Sequence, residues 1–190
     1  MVSSLPITDP ALTDPRLPMS KEQFLAWNTG QDTLYEFDNG FAEPTAAMKK
    51  AERYLIVNIQ DKLAQSEAYQ TGGRLLPETD VWVSPSQMRV PDLAHFTKAQ
   101  ILVVDDATEP IPAFVVELIS PTDRADKVEQ KVREYFQAGV RVIWHIHPAL
   151  QMVRVFTSLN TSTTYFDGDT FDASPILPSL RFRVQELFSR

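Results

Sequence analysis

Residues 113–147 read AFVVELISPTDRADKVEQKVREYFQAGVRVIWHIH, and this stretch decides the fold. Residues 113–119 are apolar throughout except for Glu117, the pattern of a strand buried on both faces. Ser120-Pro121-Thr122-Asp123 reads as a loop that caps a helix over about 125–138, which Gly139 ends. Residues 141–147 form a second β-rich run. Strand, helix and strand, followed by a meander, make a mixed sheet with helices packed on it, in the α/β or α+β range.

Toward the N-terminus, residues 45–66 carry Met48, Ala51, Leu55, Ile59 and Leu63 at steps of three and four. That spacing predicts a long amphipathic helix. Before it, residues 33–37 are β-prone and Asp38-Asn39-Gly40 turns them into 41–43, a hairpin. Ser20 caps a short helix through Trp27, with Glu22 in its first turn. Residues 1–19 contain Pro6, Pro10, Pro15 and Pro18 and form an extended lead-in, leaving 20–190 as a single domain. Gly72-Gly73 break the chain, strand-like pieces follow near 80–83 and 88–96, and 105–112 is a surface connection. Beyond the central unit, 151–156 and 163–166 give a C-terminal β-meander, and 184–188 a last amphipathic piece.

With 190 residues the chain suits one domain. Its composition, 43% hydrophobic and 23% charged, excludes a disordered or collagen-like chain. No apolar run approaches the roughly 20 residues of a membrane helix, and the N-terminus does not read as a secretory signal. The absence of cysteine excludes disulfide scaffolds and thiolate metal sites and fits a cytoplasmic protein. A net charge of −7 gives no global attraction for polyanions, so any nucleic-acid role needs a local basic patch or metal ions. Neither GxxxxGK[ST] nor GxGxxG occurs.

Glu117 is the most informative residue. A carboxylate inside an apolar strand loses several kcal/mol of hydration unless it is paired, protonated or metal-bound. The bland alternative is a strand-end glutamate that reaches solvent or pairs with an arginine. Asp92, after Pro91, lies close enough in sequence for one neighbouring strand to bring it to Glu117. Two such carboxylates repel when ionised, and a divalent cation relieves the repulsion; as a turn dipeptide, Pro-Asp is equally ordinary. On a helical wheel set at Val128, Lys131 falls near about 300°, at the border of the buried stripe. From there its stem can follow apolar surface and carry the ammonium to the adjacent strand end, or simply snorkel to water.

The ordered set Tyr35-Glu36-Phe37-Asp38-Asn39-Gly40, Arg89-Val90-Pro91-Asp92, Val116 to Arg124, Lys131 to Tyr135, Ala138-Gly139-Val140 and Trp144-His145-Ile146-His147-Pro148 resembles the Uma2 family. Uma2 proteins abound in cyanobacteria and belong to the PD-(D/E)xK restriction-endonuclease-like superfamily. The resemblance runs from about residue 34 to 156. It implies a restriction-endonuclease-like core and a metal-dependent endonuclease site in which Asp92 and Glu117 match the metal-binding acids. The position two residues after Glu117 holds Ile119, not the superfamily's lysine; Lys131 matches the family's lysine on the following helix. Glu36 matches a further family acid, and Glu52 stands where many members carry histidine.

On this reading Mg²⁺ or Mn²⁺ is the cofactor, since hard oxygen ligands suit it better than zinc. Lys131 would orient or deprotonate the attacking water and offset transition-state charge. Arg124 and Lys127, with Lys49, Lys50 and Arg53, would supply a local basic surface for a phosphate backbone. The expected partners are nucleic acid, DNA ahead of RNA, and a second copy of the chain in a C2 homodimer. Two other readings compete. His145 and His147 share a strand face and could join Glu117 in a 2-His-1-carboxylate iron site. Alternatively, a nuclease-like fold can serve as an inactive binding or assembly module.

Overall fold

The computed structural model describes residues 15–28, 33–45, 48–104 and 109–190. Its centre is a six-stranded mixed sheet. β8 (Phe114–Leu118) and β9 (Val142–His147) are parallel neighbours joined by α5 (Ala125–Ala138). β10 (Met152–Ser158) and β11 (Thr161–Phe166) extend the sheet antiparallel on one side, and β7 (Leu93–Phe96) and β4 (Arg74–Pro77) on the other. A second sheet, of five strands, contains β1 (Leu17–Pro18), β2 (Tyr35–Asp38), β3 (Phe41–Pro44), β5 (Val81–Ser84) and β6 (Gln87–Arg89). β12 (Thr170–Ala173) and β13 (Leu177–Arg183) pair separately, followed by α6 (Val184–Leu187), while two single-turn helices, α3 (Glu67–Gln70) and α4 (Lys98–Ile101), precede β4 and follow β7.

Strand alternation sorts β8 and β9 between two cores. Phe114, Val116, Trp144 and Ile146 face α2 (Arg53–Ala64), the β12–β13 pair and α6. Val115 and Ile143 face α5, meeting Val132, Tyr135 and Val140, with Val81 and Val83 of β5 beyond. By the same period Glu117 and His145 belong to the α5 side. A third cluster, around Phe24 of α1 (Lys21–Asn28), Phe37 and Trp82, covers the five-stranded sheet.

The hairpin forms as predicted. Asn39 and Gly40, both at positive φ, make its two-residue turn. Ser20 Oγ accepts the Gln23 N–H and Gln23 Oε1 the Ser20 N–H, a reciprocal cap on α1. The lead-in is extended where it is described, and Leu17–Pro18 pair with Phe41 and Ala42, so this part belongs to the five-stranded sheet. Residues 1–14 lie outside the described residues.

Three expectations need correction. The long helix starts later than residue 45: a 3₁₀ turn at Lys50–Glu52 precedes α2, and residues 46–47 lie outside the described residues. Lys49 and Lys50 place positive charge where a helix N-terminus disfavours it, and no side chain caps this start. At α5 the N-cap is Arg124, without a side-chain cap; Asp123 instead accepts the Ser120 N–H at 2.8 Å and closes the loop on itself. The 88–96 segment divides at Val90-Pro91-Asp92, where Pro91 cannot donate to a ladder. Its halves, β6 and β7, lie in different sheets.

Candidate active site

The Val90-Pro91-Asp92 link between the two sheets sets Asp92 beside the end of β8. The Leu118 N–H donates to Asp92 Oδ2 at 2.7 Å. Glu117, 8% exposed, turns toward α5, where the Tyr135 hydroxyl donates to its Oε1 at 2.7 Å. Lys131, one helical turn before Tyr135, places Nζ 4.0 Å from the same oxygen. From β2, Glu36 accepts Lys131 Nζ at 2.6 Å and the Val90 N–H at 3.1 Å, both on Oε1. Its Oε2 lies 3.6 Å from Arg89. Asp92, Glu117, Lys131 and Glu36 therefore converge, although they come from two sheets and a helix.

Their roles in the arrangement differ. Glu36 is engaged at both oxygens and anchors Lys131 and the Val90 backbone. Asp92 and Glu117 each have one oxygen bound and one, Oδ1 and Oε2, without a described donor. Asp92 is half-buried and Glu117 is 8% exposed. Both residues line a cavity of about 410 Å³, together with Lys49, Glu52, Ser120, Thr122, Asp123 and Arg124. Lys49 Nζ donates to Ser120 Oγ at 3.1 Å and joins two stretches of that lining.

Burial, and then the neighbouring Glu117 charge, push Asp92 up to about 7. Burial also raises Glu117, against the opposing pull of Lys131 and the Tyr135 hydrogen bond. Burial lowers the Lys131 pKa, but Glu117 and Glu36 outweigh it and raise the pKa above the usual lysine value. Lys131 is thus a fixed cation.

Arg124 and Lys127 reach the cavity, each already paired: Arg124 with Asp126 at 2.7 Å, Lys127 with Glu43 at 3.3 Å and Asp38 at 3.6 Å. Lys49 pairs with Glu52 at 3.9 Å, while Lys50 and Arg53 do not line the cavity. Among the described residues no three His, Cys, Asp or Glu side chains group to hold one metal ion. The iron site of His145, His147 and Glu117 is therefore not formed; the His145 ring sits 4.8 Å from Phe156, and burial lowers its pKa to about 3.

Tyr135 and Arg89 are absent from the sequence-based site. Tyr135 reads as one more apolar-stripe residue, and its position four after Lys131 is the signal that it shares that side of α5. Arg89 Nε and Nη2 bond Glu134 at 2.7 and 3.0 Å, and Nη2 lies 3.3 Å from Asp38. No feature of its short strand announces that it is buried.

A parallel strand pair at the centre of a mixed sheet flanked by helices is the restriction-endonuclease-like core that the resemblance implies. The Uma2 family, described as “Putative restriction endonuclease”, matches residues 21–185, and the chain belongs to that family. A crystal structure of “a putative nuclease belonging to DUF820” from Anabaena variabilis ATCC 29413 shares the fold. It has a TM-score of 0.75 and 18% sequence identity, covering 90% of this chain and 98% of that one. No curated protein matches the sequence.

Proposed function

We propose that the protein is a metal-dependent endonuclease that hydrolyses phosphodiester bonds of nucleic acid, DNA ahead of RNA. One observation carries this reading: Asp92 and Glu117 line the same cavity, each with one carboxylate oxygen held by a hydrogen bond from the protein. The donor set fits Mg²⁺ or Mn²⁺. Both open ligands are carboxylate oxygens, and Mg²⁺ is commonly held by one or two carboxylates while keeping several waters. The cavity carries Glu36, Glu43, Glu52, Asp92, Glu117 and Asp123 against Lys49, Arg124, Lys127 and Lys131, and a cation beside Asp92 and Glu117 would favour the ionised forms that burial opposes.

Asp92 and Glu117 would hold the cation, which supplies Lewis-acid polarisation of the phosphoryl group and its attacking water. Lys131, kept charged and held in place by Glu36, would face the negative charge that builds on the phosphoryl oxygens. Its raised pKa favours this role over that of a base. Arg124 and Lys127 would contact flanking phosphates by exchanging their carboxylate partners for the substrate. Cutting both strands of a duplex needs two such sites, so a two-fold homodimer belongs to this reading.

The test is an assay over Mg²⁺ and Mn²⁺ on duplex DNA, single-stranded DNA and RNA, with wild type, Asp92→Ala, Glu117→Ala and Lys131→Ala. Metal-dependent cleavage by wild type that falls at least about 100-fold in each variant is expected. Equal cleavage by all four proteins would mark a contaminant and defeat the reading.

A further inference from the structure

We propose that Tyr135 is a positioning residue for cation binding, acting through Glu117. The inference rests on the endonuclease reading above and adds to it a side chain which no part of that mechanism uses. Tyr135 is fully buried, and its hydroxyl reaches Glu117 Oε1 at 2.7 Å. A glutamate has three side-chain torsions, and an unrestrained carboxylate at a strand end would sample several orientations. The hydroxyl bond engages Oε1 and leaves Oε2 without a described donor. Asp92 is arranged alike: the Leu118 N–H occupies Oδ2 and leaves Oδ1. Each acid thus has one oxygen held by the protein, and both residues line the cavity.

The anchors come from two of the elements that build the site, β8 and α5. Leu118 follows Glu117 on β8. Tyr135 stands on α5 four residues after Lys131, so one helix face delivers both the fixed cation and the hydroxyl to the same carboxylate. Hydrogen bonds that orient a metal-binding carboxylate are commonly worth 10–100-fold in metal affinity.

Tyr135→Phe removes the hydroxyl and retains the ring. Mn²⁺ titration of the metal-free protein, followed by calorimetry, should show affinity at least about 10-fold weaker than wild type. Val132→Ala, which opens a cavity one turn-step away on the buried stripe of α5, is the control. It should lower the melting temperature while leaving Mn²⁺ affinity within about 2-fold. Equal Mn²⁺ affinity in wild type and Tyr135→Phe would overturn the inference and leave the endonuclease reading standing. So would an equal loss in Val132→Ala, since packing would then account for the effect. A wild-type protein whose Mn²⁺ binding is absent, or is unchanged in Asp92→Ala, would overturn the endonuclease reading and this inference with it. If Tyr135→Phe proves unfolded, Tyr135→Met removes the hydroxyl while keeping an apolar side chain. Mn²⁺ affinity in the folded Met variant at least about 10-fold below wild type supports the inference, and wild-type affinity in it overturns it.

Discussion

His95 shows at single-residue scale what close packing costs. It is 5% exposed, and its Nε2 has no partner among the described residues. Gly73 accommodates the ring: a Cβ there would stand 2.7 Å from Nε2 and 2.8 Å from the Ala68 carbonyl oxygen. Burial holds the imidazole pKa below its ordinary value. The unfolded chain therefore takes up a proton as pH falls through about 6.5 while folded His95 resists it. Stability is retained above that pH and lost as pH falls toward the folded pKa, by at most about 1.4 kcal/mol per unit. His145 and His147 are lowered in the same direction. Urea unfolding at pH 7.5, 6.0 and 5.0 should show His95→Leu gaining on wild type as pH drops. Parallel curves for the two proteins would mean that His95 takes up its proton as readily in the native state as in the unfolded chain.

Among the elements, α5 illustrates what is legible from residues alone. Its bounds follow from the apolar period and from Gly139, whose φ of +113° closes the helix while the Val140 N–H bonds the Tyr135 carbonyl. A Cβ at Gly139 would meet nothing within 4 Å, so Gly139→Ala is penalised by its backbone conformation alone. A loss of about 1 kcal/mol is expected, measurable by thermal or urea unfolding, and Gly139→Asn should lose less. A loss below about 0.3 kcal/mol would show that the helix end relaxes into another turn. Other elements were less legible for identifiable reasons. β4 has only four residues, as has β12, and the mixed pattern of β13 is interrupted by Pro178. Of the candidate site, Glu117 was visible as a charge that breaks an apolar strand, and Lys131 as a cation at the stripe's edge. Tyr135 was not visible, because a hydrophobic period does not distinguish a phenol that bonds a carboxylate from one that merely fills space.

At the scale of the molecule, the site exists only where the two sheets meet, and Arg89 holds that junction. Its guanidinium is 3% exposed and lies among Glu36 and Asp38 of the five-stranded sheet and Glu134 of α5, which packs on the six-stranded one. Gln87 and Gln130 also donate to Glu134 Oε1, at 2.8 and 2.7 Å. Three residues after Arg89 the chain reaches Asp92, so the same link that joins the sheets sets a metal-binding candidate. A buried ion cluster adds little over an apolar one of equal shape, but removing one partner strands the others. Arg89→Met should therefore cost about 3–5 kcal/mol in urea unfolding. Adding Glu134→Leu should return part of that loss, because one stranded carboxylate is then gone. A cost under about 1 kcal/mol for Arg89→Met would mean that apolar contacts alone fix the sheets. In that case Glu36 would keep its hold on Lys131 without the arginine, and the geometry of the site would not depend on the ion cluster behind it.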